Sequence, residues 1–352
     1  MRQIESRKAD HIDITMREDV SSGHNYWDDV KLVHRSLPEV DLEEVDTSAR
    51  LFGRRLAFPL IVTAITGGYP RAKRINRYLA EACAELQIGM GVGSQRAGLE
   101  HGDDGSYRVL KDYDIPLRIG NVGAPQLIPQ KGKGAFDHEA LRQAMDMVDA
   151  HLLAVHLNFL QEVAQPEGDT RARGCLEAIR AAAREFPIIA KETGAGISQD
   201  TAKRLAGIGV KGVDVAGTGG TSFSAVEKHR ALKAGDQRCA MLGHTFHGWG
   251  IPAPVSVVWA SGSVPVIASG GIMDGLQAAK GIALGASCAG MARGVLAEAL
   301  ESKRKVVERL RLVQDELRAA MFLTGSRDVA ELGRQRRVLT GETREWLTQK
   351  VY

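Results

Sequence analysis

The sequence predicts an α/β protein, a (β/α)8 barrel of parallel strands with a polar N-terminal arm and a C-terminal helical extension. Three observations lead there. Eight short, apolar, β-branched-rich runs recur, at residues 60–64, 87–91, 116–120, 152–157, 187–191, 212–215, 265–268 and 287–291. Amphipathic helical patterns lie between them. Many of the 39 glycines follow the runs directly. Strands alternating with helices form parallel sheets, and eight such units are the number that closes a barrel. A doubly wound open sheet is the alternative, but it would not normally need eight units.

The elements follow in order. Residues 1–50 are polar and carry no long periodic element; the charge set Arg7-Lys8-Ala9-Asp10-His11 reads locally as part of a solvated arm. Residues 51–300 hold the barrel. Within it, Leu141, Met145 and Val148 recur at helical spacing, as do Leu276, Ala279, Ile282 and Ala283, with Asp274 as N-cap and Gly285 past the end. Residues 301–352 form the extension. Leu296, Leu300, Val307, Leu310, Val313 and Leu317 support a long amphipathic helix, followed by a charged tail with Trp346 and Tyr352; together these read as the final barrel helix plus capping helices, a candidate subunit contact.

Composition narrows the function classes. The 46 Lys and Arg residues against 43 Asp and Glu leave a net charge of +3, interspersed along the chain, so nucleic acid is not expected as a partner. No apolar run approaches the roughly 20 residues of a membrane span. The first residues are charged where a signal peptide would be apolar, and Cys83, Cys175, Cys239 and Cys288 show no metal or disulfide spacing. A cytoplasmic protein with reduced core thiols is expected.

In a barrel, chemistry sits where the strands end at their C-terminal side. The fourth run exits into His156-Leu157-Asn158-Phe159-Leu160-Gln161-Glu162. Strand alternation puts Ala154, His156 and Asn158 on one face and Leu153, Val155 and Leu157 on the other. Gln161 and Glu162 fall in the connection. Each residue alone would fit an ordinary polar exit turn; four converging polar groups point to an active site. Runs six to eight exit into Gly217-Thr218-Gly219-Gly220-Thr221-Ser222, Ser269-Gly270-Gly271-Ile272 and Met291-Ala292-Arg293-Gly294. Glycines there let backbone N–H groups approach a phosphate. Small residues after runs one and three leave room for a flat ring. Together these point to FMN, its phosphate near Thr221, Gly271 and Ala292, its ring near Ala64, Thr66, Ser94 and Asn121, and Lys191 beside the ring. Lys191 paired with Glu192 is the competing reading.

The ordered set RKxDHI, TGG, GSQR, HLNxxQE, GTGGTS and SGGI, from residue 7 to about residue 294, resembles type 2 isopentenyl diphosphate isomerase. The resemblance implies interconversion of isopentenyl and dimethylallyl diphosphate with reduced FMN and Mg²⁺, NAD(P)H serving as flavin reductant. It implies diphosphate contacts from Arg7, Lys8, Ser94, Gln95, Arg96, His156 and Asn158, Gln161 beside the reacting hydrocarbon, and Glu162 linked to Mg²⁺. The cofactor contacts it implies are Ala64, Ile65, Thr66, Ser94, Asn121, Lys191, Thr221, Gly270, Gly271, Ile272, Ala292 and Arg293. Gln161 and Lys191 would act in catalysis, and the N-terminal arm would close over the site. A homo-oligomer, tetramer or octamer, is also implied. Ile65 departs from the methionine more usual at that place, and the role of His11 stays open. Two other functions fit the same barrel. One is an FMN-dependent oxidoreductase, whose oxidase members use an HGGR-like His–Arg pair; here the corresponding stretch reads Gly243-His244-Thr245-Phe246-His247-Gly248-Trp249. The other is a non-catalytic phosphate-binding barrel.

Overall fold

The computed structural model describes residues 2–349; Tyr352 lies outside them. Eight parallel strands close on one another: β1 (Leu60–Val62), β2 (Gly89–Gly91), β3 (Arg118–Gly123), β4 (Leu152–Leu157), β5 (Ile188–Glu192), β6 (Gly212–Asp214), β7 (Val266–Ala268) and β8 (Cys288–Met291). They pair in chain order, and β8 returns to β1 with Ala289 opposite Leu60 and Met291 opposite Val62. This is the (β/α)8 TIM barrel that the eight runs predict. Both faces of each strand are covered, which is why the runs read as continuous apolar stretches. On β4, Leu152 and Ala154 join Ile61, Leu117, Ile119, Ile189 and Ile267 inside the barrel, while Leu153 and Val155 pack outward under the helices.

The N-terminal end of the barrel is plugged. A hairpin of Ala49–Leu51 and Arg54–Leu56 inserts Leu51 and Leu56 into the interior cluster, with Phe52 against it. A Cβ on Gly212 would stand 2.6 Å from the Phe52 ring, so only glycine lets β6 pass the plug. The opposite rim is therefore the end left open to ligands.

Helices are introduced here in chain order: α1 (Arg2–Arg17), α2 (His138–Val148), α3 (Phe159–Ala164), α4 (Phe223–Ala234), α5 (Gln237–Thr245), α6 (Gly275–Ala283), α7 (Leu296–Glu301), α8 (Lys303–Leu323) and α9 (Gly341–Thr348). The expected caps are present: Asp137 accepts from the Ala140 N–H at the start of α2, and Asp274 from the Gln277 N–H at the start of α6.

Two expectations need correction. The N-terminal segment is not a solvated arm without periodic structure. It opens with α1, and beyond it Val20, Trp27 and Val30 are fully buried against the barrel. Its polarity misleads because α1 lies over a polar rim, where Lys8 and His11 find partners. The single long helix expected from residue 296 onward is two helices. Ser302 is extended, ends α7, and caps α8 by accepting from the Lys305 N–H. The apolar stripe of α8 (Val306, Val307, Leu310, Val313, Leu317) is buried, and the helix packs on α6 and on the helix Pro70–Leu86. Farther on, Arg337–Leu339 pairs antiparallel with Val30–Leu32, so the two ends of the chain are tied together.

The plug is expected to contribute heavily to stability. Leu56→Ala removes a fully buried side chain and should lower the unfolding free energy by about 2–5 kcal/mol, read from chemical denaturation. A loss under about 1 kcal/mol would mean that the hairpin does not seal the barrel.

Candidate active site

A cavity of about 510 Å³ opens at the C-terminal rim. The structure gathers nearly every predicted site residue around it. Arg7, Lys8 and His11 reach it from α1; Ala64, Ile65 and Thr66 follow β1; Ser94 and Arg96 follow β2. Asn121, His156, Asn158, Gln161, Glu162 and Lys191 line it from β3 to β5 and their exits. Thr221, Gly270, Gly271, Ile272, Ala292 and Arg293 complete the far wall. Gln95 is the exception. It is fully buried behind the wall, its amide donating to the Ala144 carbonyl at 2.7 Å and accepting from the Asn121 N–H at 2.7 Å. Both ends of its side chain are used inside the protein, so it braces β3 against α2 and is not a ligand contact.

His156 also differs from the expected charge-assisted donor. Asn121 donates its amide to the Val92 carbonyl at 3.0 Å, which turns its oxygen toward His156 Nδ1 at 2.8 Å. Nδ1 therefore carries the hydrogen. Burial, with Lys191 nearby, pulls the imidazole down to about 3. His156 is neutral, with Nε2 an acceptor.

Arg7, Lys8 and Arg96 are basic groups on the side of the rim facing α1 and the exit of β2, with Lys191 and Arg293 elsewhere on the wall. Lys8 donates to the Ser94 carbonyl at 2.8 Å and the Tyr107 hydroxyl at 2.7 Å. Burial, then Arg7, lowers its pKa to about 7. Arg96 pairs with Asp169 at 2.7 Å and Glu100 at 2.8 Å; burial opposes its charge, but these carboxylates outweigh burial and raise its pKa. Asp169 also donates its N–H to Glu162 at 2.7 Å, while Asn158 donates its amide to the other Glu162 oxygen at 2.7 Å. Burial raises the Glu162 pKa against these bonds. The remaining Asn158 oxygen is buried with no partner among the described residues.

Lys191 is paired, but not with Glu192. Register places it beside Asp214 on β6, 3.0 Å from the carboxylate, which also accepts from the Ser269 hydroxyl. Glu192 instead caps the turn after β5, accepting from the N–H groups of Thr193 and Gly194 at 2.6 Å each. Burial pushes it up to about 7.

A further carboxylate, Glu227 of α4, is fully buried under the cavity. Gln161 donates to its Oε1 at 2.9 Å, His11 Nε2 lies 2.8 Å from the same atom, and Arg230 holds Oε2. Burial would raise its pKa, yet His11, Arg230 and Gln161 together hold it at about 2. Glu227, Asp214 and Asp169 escaped the sequence reading. Asp214 sits inside a predicted strand, where a carboxylate in an apolar run was a signal, though its pairing with Lys191 is set by the register of β5 and β6. Glu227 and Asp169 have no local signal.

The glycine turns after β6 and β7 are packed backbone against backbone. Gly219, Gly270 and Gly271 have φ of 120°, 91° and 81°, and a Cβ on Gly220 or Gly271 would collide with the opposite turn. His244 and His247 lie away from the cavity wall, and His247 Nε2 contacts the Ser21 carbonyl.

Lys8 supports a prediction with a definite sign. Its ordinary value is 10.5 and its folded value about 7. Between these the unfolded chain keeps a proton that the folded chain has lost, so Lys8 makes stability rise with pH in that window. Lys8→Met removes this slope. Its Tm advantage over the wild type should be largest below pH 7 and shrink toward pH 10; a pH-independent difference would contradict the burial of a depressed lysine.

Comparisons place this geometry in a family. A family model described as FMN-dependent dehydrogenase matches residues 167–339. Isopentenyl-diphosphate delta-isomerase from Thermoplasma volcanium is 45% identical, over 98% of this chain and 99% of its own. The protein of that name from Methanothrix thermoacetophila is 47% identical, over 98% and 96%. Among solved structures, mandelate oxidase with (S)-2-phenylpropionate superposes with a TM-score of 0.61 at 20% identity, over 96% of this chain and 98% of its own, a likeness of fold alone. With near-complete coverage at such identity, the chain belongs to the isopentenyl-diphosphate delta-isomerase family, in its FMN-barrel (type 2) form.

Proposed function

We propose that this chain interconverts isopentenyl and dimethylallyl diphosphate by 1,3-allylic proton transfer, with reduced FMN in the barrel mouth and Mg²⁺ at the diphosphate. The observation that carries this reading is Gln161 seated on the buried Glu227 at the cavity wall. A neutral amide fixed by an ionised carboxylate is suited to orienting an alkene and unsuited to the general-base role that a hydroxy-acid oxidation requires.

The residues fit both groups. For FMN, the paired glycine turns offer backbone N–H groups where any side chain would intrude, and Lys191 supplies a cation held by Asp214. Bound and reduced, FMN supplies a nitrogen able to give and take a proton. For Mg²⁺, no cluster of three His, Cys, Asp or Glu exists among the described residues. Glu162, beside the unpartnered Asn158 oxygen, would instead provide one ligand, with substrate oxygens filling most others.

The protein's own contribution is to bind, orient and exclude water. Arg7 and Lys8 on α1 and Arg96 across the rim would hold the diphosphate. Its anionic oxygens would draw a proton onto Lys8, whose pKa near 7 keeps the cost of that protonation small. Asn158 would add a directed hydrogen bond through its second amide N–H, while neutral His156, whose Nε2 accepts, would bond only to a protonated phosphate oxygen or a water. Closing α1 over the mouth would shut out solvent. NAD(P)H would serve to reduce the flavin, outside the isomerisation cycle. An oxidase reading lacks support, because His244 and His247 do not line the cavity.

Reduced protein incubated with isopentenyl diphosphate should form dimethylallyl diphosphate with no stoichiometric consumption of NADPH. Gln161→Ala should keep FMN yet lose about a hundredfold or more in rate; stoichiometric reductant oxidation would overturn the reading. Glu162→Gln should raise the Mg²⁺ concentration for half-maximal activity about tenfold, since one ligand charge is lost. An unchanged magnesium dependence would leave Glu162 a structural residue.

A further inference from the structure

The segment that follows α1, residues 20–27, is laced to both glycine turns by hydrogen bonds between groups far apart along the chain. To the turn after β6, the Ser22 N–H donates to the Gly220 carbonyl at 2.8 Å, the Ser22 hydroxyl accepts from the Gly219 N–H at 2.7 Å, and the Ser222 N–H donates to the Val20 carbonyl at 2.8 Å. To the turn after β7, the Asn25 amide donates to the Gly271 carbonyl at 3.0 Å and the Trp27 indole to the Gly270 carbonyl at 2.7 Å. Asn25 also accepts from the Trp27 N–H at 3.2 Å. Trp27 is fully buried, and its own carbonyl is anchored by buried Lys280 of α6 at 2.8 Å.

These bonds go mainly to the carbonyl oxygens of the turns. A peptide whose carbonyl is fixed on one side presents its N–H in a fixed direction on the other. Satisfying Gly220, Gly270 and Gly271 therefore fixes the neighbouring N–H groups as a set, in turns that line the cavity together with Ser21, Gly23 and Asn25. A phosphate held by backbone donors depends on such preorganisation, because each misdirected N–H is a lost charge-assisted bond. Apart from the segment, the exits of β6 and β7 are joined only at their bases, by the Gly217 N–H to the Ser269 carbonyl at 3.3 Å and the Ala216 N–H to the Ser269 hydroxyl at 2.9 Å, among the hydrogen bonds of the described residues.

We propose that Ser22, Asn25 and Trp27 are positioning residues of the cofactor-phosphate cradle, so that the segment after α1 is built into the FMN site. This rests on the FMN reading above. The N-terminal region then has two roles, with α1 on the substrate side and residues 20–27 bracing the turns that would hold the cofactor phosphate. Lys8 bonds to Ser94 and Tyr107 on the substrate side, whereas Asn25 bridges one glycine turn and the strap itself.

Riboflavin, which lacks the phosphate, isolates the effect. FMN and riboflavin affinities are measured by flavin-fluorescence titration of flavin-free protein, for the wild type, Asn25→Ala and Ser22→Ala. Wild-type protein should prefer FMN. Asn25→Ala, losing two hydrogen bonds, should weaken FMN about tenfold and riboflavin less than about twofold; Ser22→Ala should show the same selective loss, smaller in size. A wild type that prefers FMN while both variants bind both flavins normally, or lose both equally, overturns the proposal alone. A wild type that binds neither flavin, or both equally, overturns the phosphate-site reading and this proposal with it.

Discussion

Closure of the sheet between β8 and β1 is the constraint on which everything else depends. Ala289, Gly290 and Met291 pair in register with Leu60, Ile61 and Val62, and with that seam formed, eight strand exits share one rim. An open sheet would leave the exits of β1 and β8 at opposite edges. Ile65 and Thr66 could then not stand across a cavity from Ala292 and Arg293. The interior below is solid with Leu, Ile and Ala side chains and sealed by the Leu51–Leu56 plug, so the rim is the place where space remains.

Around that space, charge is handled by pairing. Lys191 has Asp214, Arg96 has Asp169 and Glu100, and Glu227 has Arg230 and His11. Burying any one of these charges without a partner would be costly, whereas pairing offsets that cost and fixes the side chains in place. His156 takes the other course and becomes neutral, its hydrogen fixed on Nδ1 by Asn121. The result is a pocket whose polar groups are already oriented by their neighbours.

The N-terminal residues share in this arrangement rather than sit apart from it. Lys8 and His11 find partners in Ser94, Tyr107 and Glu227, and residues 20–27 brace the glycine turns. The pairing of Val30–Leu32 with the strand Arg337–Leu339 joins the N-terminal region to the C-terminal extension. Substrate-side and cofactor-side features thus lie on one continuous stretch of chain.

Much of the fold was legible locally. Apolar runs punctuated by glycine mark all eight strands, because two-sided burial demands unbroken apolar stretches, and Asp137 and Asp274 announce helix starts by chemistry that acts within three residues. The polar exits of β4 and the glycine pairs after β6 and β7 were visible for the same reason. Partners distant along the chain were not. Gln95 stands in a motif with Ser94 and Arg96, yet only packing against α2 turns it away from the cavity. Glu227 lies 66 residues from Gln161 and 216 from His11. Ser302 looks like one more polar position of a long helix, yet in the fold its backbone is extended and it separates α7 from α8. The charge of His156 and the partner of Lys191 depend on burial and register. A linear sequence states which groups exist; the tertiary structure decides which of them meet, and hence which are charged, fixed or free.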